Sequence, residues 1–214
     1  DLALALELYV LGSVHCFSHQ TSVDLNNRLV VFDCKNLSPN IKQVGMLVCM
    51  DFINQIIIRN REKGYRSRIK VDEFHLFYDG IDDDGDAGTG TLFQGLFARG
   101  RKYGCIITGI TQNVTGVLGS KTGLSMLQNS QFIMLFEQHS TNAQALADTY
   151  HLSDDQAAML SSTRKGEGLL INKNMVVPFE KIYPQGNLVY DTITTDFDEV
   201  TRLRKKNETQ TNIV

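Results

Sequence analysis

The stretch Ile69-Lys-Val-Asp72-Glu73-Phe-His-Leu-Phe77 decides how this chain is read. Arg68 to Phe77 has the β-branched and aromatic content of a strand, and two adjacent carboxylates interrupt it. Working outward, Leu92 to Tyr103 carries helical spacing closed by Gly104, and Cys105-Ile-Ile-Thr-Gly-Ile110 is again a strand. On the amino-terminal side, Ser38-Pro39 fits a helix start, helical spacing runs to Arg61, and Lys63-Gly64 supplies the stop. Before that helix, Leu29-Val-Val-Phe-Asp33 is almost wholly apolar, the pattern of a buried parallel strand. Further along, Gly123 to Asn129 reads as a short helix and Gln131 to Phe136 as a strand. Helices are expected near Thr141–Tyr150 and Asp154–Ser161. Gly168–Ile171 and Met175–Phe179 then form a terminal strand pair around Lys173-Asn174. Leu2 to Phe17 reads as an opening helix. Strands alternating with helices predict an α/β fold, a parallel sheet covered on both faces.

Composition sets the bounds. The 214 residues are 42% hydrophobic and 21% charged, ordinary for a folded domain and wrong for a disordered chain. A formal charge of -3 gives no global basic field for nucleic acid. Apolar stretches such as Gly45 to Ile58 are broken within about ten residues, so no bilayer-spanning segment is expected. Cys16, Cys34, Cys49 and Cys105 are scattered without a C-x-x-C pair, which argues against a disulfide scaffold and a zinc ribbon. The start has no basic region or cleavage site of a signal peptide, and no initiator Met, so a fragment or processed chain is expected. One domain is expected over residues 1–195, with an acidic loop at 76–91, followed by a polar tail at 196–214.

The chemistry is concentrated at two strand ends. An aspartate followed by a glutamate at the end of a parallel strand is the arrangement of a Walker B site: the first carboxylate holds Mg²⁺, the second polarises the attacking water. Such a pair is common at solvated loop starts too, and Lys70 departs from the usual apolar strand. The run Cys105 to Ile110 leads directly into Thr111-Gln112-Asn113. A glutamine there can sense a γ-phosphate and orient the hydrolytic water. Each signal alone fits a polar turn; together they favour a site.

These residues carry a resemblance. The chain resembles the carboxyl-terminal ATPase domain of the type IV secretion and conjugation ATPases, the CagE/TrbE/VirB family. The segments that match include Asp1 to Tyr9, Thr21 to Leu25, Arg28 to Asp33, Gly45 to Leu47, Val71-Asp-Glu-Phe-His75 and Ala98-Arg-Gly-Arg-Lys-Tyr-Gly104. Thr108-Gly-Ile-Thr-Gln-Asn-Val114, Met126 to Ser130 and Gly166-Glu-Gly-Leu-Leu-Ile171 continue it. The resemblance implies a RecA-like fold of the FtsK–HerA group that uses ATP with Mg²⁺ to drive substrate export or pilus assembly. It implies Asp72 as the Mg²⁺ ligand, Glu73 as the catalytic carboxylate and Gln112 as phosphate sensor, with Thr111 beside it on the nucleotide. Arg101 and Lys102 fall in the family's basic helix and would approach phosphate from the same or a neighbouring subunit. Arg164 is a weaker candidate for a charge-stabilising arginine. For these three, a solvated surface charge is an equally good reading. The implied setting is the cytoplasm, peripheral at the inner face of the cell membrane. The implied partners are other secretion or conjugation components, further copies of the chain, and DNA. A DNA-translocating coupling ATPase of the same superfamily and a non-catalytic interaction module are the alternatives.

One departure from the family is large. A phosphate-binding loop needs G-x-x-x-x-G-K-[ST], because backbone N–H groups at a helix start cradle phosphates and the lysine neutralises them. The nearest string, Gly116-Val-Leu-Gly119-Ser-Lys121-Thr122, has Ser120 between glycine and lysine and reads as a loop. The expectation is therefore a chain that begins after the phosphate loop and does not hydrolyse ATP by itself. Asp79 to Asp86 fails as a calcium loop, since a start at Asp82 puts Ala87 and Phe93 where glycine and glutamate belong. His15 and His19 share a helix face without a third ligand, so buried histidines are the better reading than zinc. Arg202 to Lys206 reads as a solvated helix end.

Overall fold

The computed structural model describes residues 7, 10, 18–20, 24, 26–77, 89–182, 184 and 186–211. The expected opening helix with His15 and Cys16, apart from helical Glu7 and Val10, lies outside the described residues, as does the acidic stretch 78–88. Two compact units make up the chain, residues 1–130 and 131–214.

In the first unit, helix α1 (Pro39–Glu62) begins at proline, whose fixed φ and missing N–H suit a first turn. It ends at Lys63, followed by Gly64 at φ 73. Strand β1 (Ser67–Val71) is next, then a 3₁₀ turn (Phe74–Phe77). The expected strand is thus shorter: it stops at Val71, because Glu73 takes φ 46 and turns the chain. Helix α2 (Thr89–Arg99) and a 3₁₀ turn (Gly100–Tyr103) lead through Gly104 at φ 65 into strand β2 (Cys105–Gly109). The strands pair in parallel, Ser67 opposite Cys105 and Val71 opposite Gly109. Helices α3 (Val114–Gly119) and α4 (Lys121–Asn129) complete the unit. The string Gly116 to Thr122, expected as a loop, is two helices broken at Ser120, whose hydroxyl accepts from Gly123 N at 3.2 Å.

The core of this unit joins Met50 and Ile57 of α1, Val71, Phe74, Phe93 and Leu96 of α2, Cys105, Val117 and Met126. Four aromatic rings form its centre: Phe93 lies 5.0 Å from Phe77, 5.3 Å from Phe97 and 6.3 Å from Phe74. Ser67, Val71 and Cys105 are buried on one face of the strand pair, while Arg68, Lys70, Ile106 and Thr108 alternate onto a more exposed face. The run Leu29–Asp33 forms no strand; Leu29 and Val31 are 82% and 80% exposed. A parallel strand exists only through a partner, and none pairs with this run among the described residues. A second correction concerns α1. Its Ile41–Glu62 portion is long and apolar enough to cross a bilayer, with a mean hydropathy of 1.4. Asp51, Asn54 and Gln55 interrupt the run without lowering that average enough; 22% of the apolar window is buried, with Met46, Met50 and Ile57 facing the core.

In the second unit, β3 (Ile133–Leu135), β4 (Glu167–Asn172) and β5 (Met175–Glu180) form an antiparallel sheet in that order. The expected strand at Gln131–Phe136 is therefore present but antiparallel to β4, with Leu135 opposite Leu169. Helices α5 (Ser140–Tyr150) and α6 (Asp154–Leu160) lie between β3 and β4 in sequence. A capping box starts α6: Ser153 Oγ accepts from Gln156 N while Gln156 Oε1 accepts from Ser153 N. Leu160 and Leu169 are fully buried. The hairpin turns at Lys173-Asn174 as expected, with Lys173 at φ 54. Helices α7 (Leu188–Ile193) and α8 (Phe197–Thr211) follow, so the polar tail is helical from Phe197 to Thr211.

Candidate functional site

Parallel pairing of neighbouring strands puts their carboxyl ends side by side. Asp72 and Glu73 leave β1 where Thr111 and Gln112 leave β2. The ladder continues one step past the strands: Ile110 N donates to Val71 O at 2.9 Å, and Phe74 N donates to Ile110 O at 3.1 Å. These two bonds clamp the two exits together, so the carboxylate pair and the Thr-Gln-Asn segment share one edge.

Glu73 sits in the left-handed region, a conformation that costs a non-glycine residue about 1–2 kcal/mol. Three bonds support it. Glu73 N donates to Asp72 Oδ1 at 3.1 Å, Glu73 O accepts from Leu76 N at 3.0 Å, and Phe74 is anchored to Ile110. Asp72 is exposed, whereas Glu73 is half-buried. Glu73 Oε2 is covered and has no hydrogen-bond partner, yet it lies 3.3 Å from Nδ1 of His75. The same Nδ1 is 2.8 Å from Thr111 Oγ1. Thr111 Oγ1 also accepts from Asn113 N at 3.0 Å, and Asn113 Oδ1 accepts from Gly116 N at 2.8 Å, capping α3. Gln112 is exposed between these two anchored neighbours.

Four of the seven expected site residues are therefore brought together: Asp72, Glu73, Thr111 and Gln112. Arg101 and Lys102 are exposed on the 3₁₀ turn at the amino-terminal end of β2, about 15 Å of strand from Gln112. They do not join the carboxylates of their own chain. Arg164 belongs to the second unit, exposed before β4, its backbone N donating to Glu167 Oε2 at 2.9 Å. His75 joins this edge as well, and its signal in the sequence is a single polar residue in the apolar run Phe-His-Leu-Phe, two positions after Glu73.

The donors fit a magnesium–phosphate ligand. Mg²⁺ in phosphate sites keeps several waters and takes one or two carboxylates, and Asp72 is an exposed carboxylate at this edge. No cluster of three or more metal-ligating side chains occurs among the described residues. Cys34, Cys49 and Cys105 are free thiols.

No family profile and no curated protein matches the sequence. Among solved structures the chain is similar to VirB4 of Thermoanaerobacter pseudethanolicus, with a TM-score of 0.74 and 21% sequence identity. The similarity covers 88% of this chain and 51% of that one, so the chain spans about half the length of that protein. At this identity the likeness speaks to fold. By fold, then, the chain is a VirB4-like, RecA-like α/β domain with its carboxylate pair and its glutamine at adjoining strand ends.

Proposed function

We propose that the chain is the carboxylate-bearing part of an ATP-hydrolysing motor of type IV secretion or conjugation. The observation that carries this reading is the shared edge of Asp72, Glu73 and Gln112 on parallel neighbours, where ligands collect in open α/β sheets. The VirB4-like fold supports the choice of motor. In this reading Asp72 holds Mg²⁺ through water, and the ion supplies charge neutralisation on the phosphates. Glu73 accepts a proton from the attacking water, and Gln112 orients that water and meets the γ-phosphate. Thr111 lines the nucleotide side of the same edge. Arg101 and Lys102, remote from their own carboxylates, act on a neighbouring copy's phosphates in a homo-oligomer. Arg164 stabilises charge in the same way. The motor works in the cytoplasm at the inner face of the membrane, alongside other secretion components, and DNA is one candidate cargo.

The 214 residues hold no phosphate loop, so hydrolysis requires a segment that supplies one. The test compares ATP turnover by the 214-residue chain with that of the longer protein carrying a phosphate loop. Turnover only in the longer protein, lowered about 100-fold or more by Glu73→Gln with nucleotide still bound, is the expected result. Turnover insensitive to Glu73→Gln, or absent from the longer protein, overturns the reading and leaves a non-catalytic module. DNA binding that falls steeply with salt would assign the motor to DNA translocation.

A further inference from the structure

We propose that His75 is a positioning residue that ties the Glu73 carboxylate to the Gln112 strand end. This rests on the reading of Glu73 as the catalytic carboxylate. The ring joins residues 36 apart in sequence: Nδ1 lies 2.8 Å from Thr111 Oγ1 and 3.3 Å from Glu73 Oε2. Its side chain is 14% exposed and that of Glu73 35%, so one carboxylate oxygen is enclosed while the rest of the group reaches solvent.

The partners on the Nδ1 side favour one tautomer. Thr111 Oγ1 already accepts from Asn113 N and keeps one lone pair and its own proton. If the threonine proton went to Nδ1, a ring lone pair would face an enclosed carboxylate oxygen that has no other partner. With the proton on Nδ1, the ring donates to Thr111 Oγ1 and presents the same N–H dipole to Glu73 Oε2. The arrangement leaves the second carboxylate oxygen for water. It also makes the carboxylate follow Thr111, the residue immediately before Gln112. The 3₁₀ turn carrying His75 is itself fixed by Phe74 N donating to Ile110 O and by the burial of Phe74. The two strand ends thus move as one piece, a positioning effect.

The test uses a protein that joins these residues to a phosphate loop, with wild type and Glu73→Gln run in parallel for ATP turnover. His75→Ala is expected to lower kcat about 10- to 100-fold with KM nearly unchanged. Thr111→Val is expected to lower kcat similarly, and the double variant to be no slower than either. His75→Asn, whose amide can replace the Nδ1–H donor, is expected to recover most of the loss. Selective ¹⁵N-histidine spectra should show His75 protonated at Nδ1, a readout that stands even where the alanine variant fails to fold. An unprotonated Nδ1, wild-type kcat in His75→Ala, or no recovery in His75→Asn overturns the proposal while leaving Glu73 in place. An inactive wild type, or an active Glu73→Gln, removes the functional reading and this proposal with it.

Discussion

Glu73 is the residue where local preference and position disagree. A glutamate at φ 46 is strained, and the strain persists because the bonds to Asp72, Leu76 and the Ile110 anchor fix the turn around it. Gly109 meets the opposite demand. A Cβ there would stand 2.9 Å from the Phe74 ring, which is buried against Phe93 and Phe97 and cannot swing away. Gly109→Ala is therefore expected to lower stability by about 1–3 kcal/mol, read as a lower denaturation midpoint at an unchanged denaturant slope. An unchanged midpoint would show that the ring gives way freely. Asp72, Glu73 and Gln112 were legible in the sequence because each polar group follows directly on an apolar run. His75 was not, since a histidine among Phe, Leu and Phe reads as a core residue until Thr111 is seen beside it.

At the scale of elements, legibility followed the strength of the end signals. Helix α1 announced itself by Pro39 and Gly64, β2 by Gly104, and the β4–β5 hairpin by Lys173-Asn174. Helix α3 did not: Val-Thr-Gly-Val-Leu-Gly has poor helix propensity, and the Asn113 cap with burial of Val117 overrides it. Leu29–Asp33 failed the other way, strong in β propensity but without a partner strand among the described residues. Buried titratable groups on these elements make stability depend on alkaline pH. Burial raises the Cys105 thiol on β2 to about 11, and burial followed by the neighbouring Cys34 raises Cys49 on α1 to about 11. Burial likewise raises the Tyr150 phenol to about 12. Each folded value lies above its unfolded value, so the stabilisation is complete below the unfolded pKa, about 8.5 for a thiol. It is lost as pH rises toward the folded value. The melting temperature is expected to fall from about pH 9 upward, and Cys105→Ala to flatten that fall. A profile level to pH 11 would contradict the burial of both thiols.

At the scale of the molecule, each unit has its own core and sheet, one parallel and one antiparallel. Alternation of strands and helices in the sequence predicted a single parallel sheet, because periodicity identifies a strand but not its direction or partner. Asp72, Glu73, Thr111 and Gln112 all lie in the first unit, and the likeness to VirB4 extends over 88% of the chain. The central claim is that the ends of β1 and β2 act as one catalytic group. Its most direct test is a kinetic cycle of Glu73→Gln, Gln112→Ala and the double variant, read as ATP turnover in a protein that joins these residues to a phosphate loop. Groups that act as a unit are strongly non-additive, so the double variant should turn over ATP about as slowly as Glu73→Gln alone. Losses that multiply, as for independent sites, would contradict the claim.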